Sequence, residues 1–97
     1  MFNSKTDFMN GLNDGRVKNL TLVEYAVKTD GDLKTSSHEA IGKKLTVLAT
    51  TSHTLFFKDA KLETFQFPTN GKWSFKGHTM RVTTDSSEAV FVVNPIF

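Results

Sequence analysis

The chain has 97 residues, a formal charge of +2 from twelve basic and ten acidic side chains, and no cysteine. That length suits one domain around one core, and the missing cysteines exclude disulfides and thiolate metal centres and fit a reducing compartment. No stretch approaches the roughly 20 apolar residues of a membrane span, and Met1-Phe2-Asn3-Ser4-Lys5 lacks the charged-then-apolar pattern of a signal peptide, so a cytoplasmic protein without a membrane partner is expected.

Ser4, three residues ahead of Asp7, resembles a capping arrangement, and Phe8, Met9 and Leu12 fall at helical spacing on one face. They predict a short helix over about residues 5–13, weakened by Gly11 and stopped at Asn13-Asp14-Gly15. Its stripe would cover one opening of a sheet. Residues 16–28 read as a strand with apolar side chains on both faces, expected to be covered on both sides or to bend between two sheets. Thr29-Asp30-Gly31-Asp32 is a turn, and the polar, poorly patterned run 33–37 reads as a loop. Ser36 with Glu39 has the spacing of a second capping box and predicts a helical turn near 37–42, limited by Gly42.

From Leu45 onward a β pattern dominates, with strands predicted over 45–50, 54–58, 62–67, 72–76, 79–84 and 89–93, separated by short turns. The clearest register lies between Glu63 and Thr84. A three-residue loop Thr69-Asn70-Gly71, with Gly71 left-handed in a G1 bulge, would set Phe67 opposite Trp73 and Phe65 opposite Phe75. Gly77-His78 suits a type II′ turn that pairs Phe75 with Met80 and Trp73 with Val82. The large side chains then share one buried face. The other carries Thr64, Gln66, Pro68, Lys72, Ser74, Lys76, Thr79, Arg81 and Thr83: polar, mildly basic and without an aromatic. The last strand is apolar on both faces and is expected to be central or covered by the helix, and the terminal Ile96-Phe97 is expected to tuck against the body. The fold class is therefore mainly β (α+β): a single domain, an antiparallel meander forming a small barrel or a strongly twisted sheet, with one amino-terminal helix.

Signatures of chemistry fail one by one. Gly42-Lys43-Lys44 lacks the earlier glycine and the Ser/Thr of a phosphate loop, and Asp30-Gly31-Asp32 lacks the distal glutamate of a calcium loop. His38, His53 and His78 show no metal-ligand spacing, and no nucleophile elbow surrounds any serine. Asn19-Leu20-Thr21 is an acceptor for glycosylation only in a secreted chain. No catalytic, cofactor-binding or metal-binding residue is assigned, and no enzyme is expected.

The expectation for function is a non-enzymatic binding protein that docks on a larger protein, since a sheet in so short a chain leaves edges uncovered and such edges pair with other chains, including further copies of itself. Inhibitory or redirecting phage and mobile-element accessory proteins are often of this size and class, an analogy of size and class alone. The candidate binding face is Lys72, Ser74, Lys76, Arg81 and Thr83. The alternative is a nucleic-acid-binding barrel using this basic face with Lys58 or Lys61, which would need aromatics on the same face to stack bases. Two further readings are a virion structural protein and a small-ligand pocket lined by Trp73 and Tyr25. Basic residues are interspersed with acidic ones, and only Lys43 and Lys44 are adjacent, so charge alone gives a polyanion little support.

Overall fold

The computed structural model describes residues 2–51 and 53–95; the expected tucking of Ile96-Phe97 lies outside them. Among the described residues one helix, α1 (Lys5–Asp14), precedes eight strands: β1 (Leu20–Thr29), β2 (Asp32–Thr35), β3 (Thr46–Thr50), β4 (Thr54–Lys58), β5 (Thr64–Pro68), β6 (Lys72–Lys76), β7 (Thr79–Thr83) and β8 (Ser87–Val93). The strands make two antiparallel sheets, one in the order β2-β1-β8-β7-β6 and one in the order β3-β4-β5. The mainly β class and the single helix stand. The sheets do not close into a barrel, and they are not one twisted sheet.

The helix starts and stops where its end residues direct. Ser4 is extended and its hydroxyl accepts from the Asp7 N–H at 3.1 Å, while Gly15, at φ 86°, takes the left-handed cap. Between these ends α1 sends Phe8, fully buried, against Trp73 and Phe75, with ring centroids 5.7 and 6.3 Å away. Met9 and Leu12 add to the same core.

The long first strand belongs to the five-stranded sheet along its whole length and touches the segment leading into β3 near its start. A register shift between Leu22 and Glu24 interrupts its pairing with β8. Ahead of it, Leu20 exchanges two backbone hydrogen bonds with Leu45 at 2.8 and 2.7 Å, and the Leu22 carbonyl accepts from the Gly42 N–H at 3.0 Å, tying β1 to the segment that enters β3. β1 pairs with β8 on both sides of the shift and with β2 beyond it. The apolar β8 is central, between β1 and β7.

Four expectations need correction. The run 33–37 is mostly strand: Asp30 (φ 52°) and Gly31 (φ 85°) are both left-handed, which is the two-residue type I′ turn that Asp-Gly favours, and it returns the chain as β2. The predicted helical turn at 37–42 is a pair of tight turns, with the Ile41 N–H on the His38 carbonyl and the Lys43 N–H on the Ala40 carbonyl, both at 3.1 Å. The Ser36–Glu39 capping box is displaced by His38, whose Nδ1 accepts from the Ala40 N–H at 3.0 Å.

The fourth correction is the largest. The segment Thr69–Gly71 is a corner between sheets and not a hairpin: Phe67 pairs with Leu55 and Phe65 with Phe57 on β4, not with Trp73 and Phe75. Gly71 has no positive φ and forms no G1 bulge. It is needed for a different reason, because a Cβ there would overlap the Thr83 carbonyl oxygen. The β6–β7 hairpin, by contrast, has the expected register, with Trp73 opposite Val82 and Phe75 opposite Met80, and Gly77 at φ 61° as its turn requires.

Gly71→Ala therefore forces backbone apart and should cost about 2 kcal/mol or more, at the upper end of overpacking effects. Gly31→Ala meets nothing within 4 Å and should cost only about 1 kcal/mol of left-handed strain. Urea unfolding of the two variants measures the difference; equal losses would mean that Thr83 yields freely.

Candidate binding face

The register of β6 and β7 decides which side chains act outward. Lys72 lies opposite Thr83, Ser74 opposite Arg81, and Lys76 opposite Thr79, so all five residues of the predicted face do share one face. The opposite side is the core: Phe65, Phe67, Met80 and Val82 are buried, and Trp73 and Phe75 are half-buried against α1. Trp73 also donates its indole N–H to the Thr69 carbonyl at 3.0 Å.

The outer rows continue across the sheet onto β8 and β1, whose residues the expected face did not include. Thr79 faces Val92 and then Thr21; Arg81 faces Val90 and then Glu24; Thr83 faces Glu88 and then Ala26. Glu88 thus enters the candidate face. Its carboxylate lies 2.9 Å from Arg81 Nη1 and accepts from the Thr83 hydroxyl at 3.3 Å. The signal for it was the β7–β8 turn: sequence-adjacent strands usually pair, and counting back from Asp85-Ser86 sets Thr83 opposite Glu88.

The consequence is a divided face. Arg81 is neutralised by Glu88, while among the described residues Lys72 and Lys76, both exposed on β6, make no ion pair. Cation is concentrated along the sheet edge, and carboxylates, Glu88 and Glu24, occupy β8 and β1. Ser74, Lys76, Thr79 and Arg81 line a shallow depression of about 310 Å³. No aromatic stands in these rows.

The same parity sorts the backbone. In a two-residue hairpin the residues flanking the loop are hydrogen-bonded, and pairs alternate from there. Lys76, Ser74 and Lys72 therefore bond to β7, and the N–H and C=O groups of Trp73 and Phe75 point away from it. β6 ends its sheet, and among the described residues only β7 pairs with it. The other edges are blunted: β2 has four residues, β3 carries a register shift between Val47 and Ala49, and β5 ends in Pro68.

The remaining sequence candidates do not converge. His53 and His78 are exposed, and no group of three or more His, Asp or Glu able to hold a metal occurs among the described residues. Tyr25 packs with His38 and Phe67, and Trp73 with Phe8 and Phe75, so the two rings expected to line one pocket belong to different clusters. Lys43, from the region of the failed phosphate motif, bridges Asp59 and Glu63 at 3.4 Å each. No helix among the described residues is long and apolar enough to cross a membrane.

His38 is the one histidine built into the fold. Its ring lies 5.0 Å from Tyr25, 5.0 Å from Phe67 and 5.8 Å from Phe65, and Lys43 sits over the Phe65 ring. Burial lowers its pKa from the ordinary value, and the neighbouring Glu39 carboxylate opposes this more weakly. Protonation would also put a hydrogen on Nδ1, where the Ala40 N–H already donates. With the folded pKa below the unfolded one, the unfolded chain takes the proton first. This contribution is present above the unfolded value of about 6.5 and is lost as pH falls from there through the lower folded pKa. The urea midpoint should drop between pH 7.5 and 5.5, and His38→Phe, which keeps a ring in place, should flatten that drop. An equal drop in both proteins would assign it to other groups.

Comparison of the chain with known protein families, with curated protein sequences and with solved structures finds no match.

Proposed function

We propose that this chain is a non-enzymatic binding protein that docks on a larger protein, using the uncovered edge of β6 together with the face of Lys72, Ser74, Lys76, Arg81 and Thr83. The observation that carries this reading is the edge itself. β6 is a five-residue strand without proline or register shift, and it turns the backbone groups of Trp73 and Phe75 outward. Main-chain groups in that arrangement supply affinity when a second strand is added, and the flanking side chains supply selectivity. Covering a partner's surface in this way requires no cofactor or nucleophile, in keeping with the lack of such a signature in the sequence. A nucleic-acid interface is the weaker reading: the rings are turned inward, and one of the three cations on the face is already paired.

Two variants isolate the edge from the packing beside it. Phe75→Ala and Phe75→Pro both remove the ring, but only proline removes the outward N–H, and neither interrupts a bond to β7. Tagged proteins would be passed over nuclease-treated lysate and the complexes sized by chromatography. A stoichiometric protein partner retained by Phe75→Ala and lost by Phe75→Pro is the expected result. Recovery of nucleic acid alone, lost as salt rises, would replace this reading with the other.

A further inference from the structure

We infer that the segment recognised by β6 is an extended acidic strand, with carboxylates four residues apart on one face. This rests on the docking role of the β6 edge. Lys72 and Lys76 lie on the same face, exposed at the two ends of β6, about 13 Å apart along the strand. Between them Ser74 is small and neutral. The other face offers Trp73 and Phe75, half-buried, each with surface left to cover. A strand laid along this edge meets a cation, a gap and a cation on one side, and two rings on the other.

The same lysines disfavour a second copy of the chain as the added strand. Antiparallel pairing of two β6 strands in the register of greatest overlap centres on Ser74 and sets Lys72 directly opposite Lys76 of the other copy, twice. Like charges in directly opposed positions are destabilising, and opposite charges there are stabilising. Lysine on an edge is also the common guard against aggregation, and that protective role predicts no binding of any strand. The two accounts separate on whether an acidic strand binds.

The lone tryptophan lies on this edge and reports on it directly. The probes are two nine-residue peptides, one alternating Glu and Val and one alternating Lys and Val, titrated into the full chain at low salt while Trp73 fluorescence is followed. Wild type should bind the Glu peptide roughly tenfold more tightly than the Lys peptide, and added salt should weaken it. Lys72→Glu/Lys76→Glu should invert the preference. Amide exchange at Trp73 and Phe75 should slow in the complex. Thermal melting of the double variant checks that it folds; if it does not, Lys72→Gln/Lys76→Gln should abolish the discrimination instead.

No binding of either peptide, or binding that ignores the charge swap, overturns the inference. If a lysate partner is nevertheless lost with Phe75→Pro but kept with Lys72→Glu/Lys76→Glu, the edge docks a strand of other chemistry and only the acidic specification falls. If neither peptide nor partner depends on the edge, the docking reading falls with it.

Discussion

Two sheets that share almost no backbone hydrogen bonds are held together by rings. Phe57 and Phe67 from the three-stranded sheet and Phe91 from the five-stranded sheet form a closed triangle, with centroids 5.3 to 5.6 Å apart. Two of the pairs are edge-on and the Phe57–Phe91 pair is tilted; edge-on pairs add about 0.5 to 1.5 kcal/mol each beyond the burial of the rings. Each ring comes from a different strand, and each strand is fixed by its own hairpin or crossover. The triangle therefore links the two sheets directly, and other buried side chains pack with it in one core. α1 packs beside Trp73 and Phe75, which stay half-buried, and His38 packs beside the buried Phe65 and Phe67.

This arrangement also explains which parts of the fold were readable from the residues. Local geometry was: Ser4 and Gly15 bound a helix, Gly77-His78 fixes the register of β6 on β7, and period two gives the inward and outward sides. The error at Thr69–Gly71 has a physical origin. A glycine after an asparagine between two alternating aromatic runs is what a hairpin needs. It is also what a corner needs when another strand's carbonyl presses against the turn. The first demand is for positive φ and the second for a missing Cβ, and composition does not separate them. The difference lies at a distance: Phe65 and Phe67 pair with Phe57 and Leu55 on β4 in one sheet, while Trp73 and Phe75 pack against Phe8 of α1 in the other.

The candidate face divides in the same manner. The sidedness of Lys72, Ser74, Lys76, Arg81 and Thr83 follows from alternation along two strands and one turn, so it survived the loss of the predicted β5–β6 pairing. Its charge did not follow from those strands alone. Glu88 reaches Arg81 only because β8 is the next neighbour of β7, and Glu24 lies beyond it because β1 returns from the start of the chain to flank β8. A face read as basic from two strands is, over four, a basic edge beside an acidic interior.

The exposed edge is itself a product of the ring triangle. Had Phe65 and Phe67 paired with Trp73 and Phe75, β6 would have been an inner strand, with its outward amides satisfied by β5. Sending β5 to the other sheet brings Phe67 onto Phe91 and leaves β6 bonded on one side only. The ring cluster across the sheets and the unpaired edge of β6 thus both follow from the placement of β5 in the three-stranded sheet. A strand in that position either stays guarded by its lysines or takes a complementary strand. Its regular backbone, next to three blunted edges, sets it apart from them.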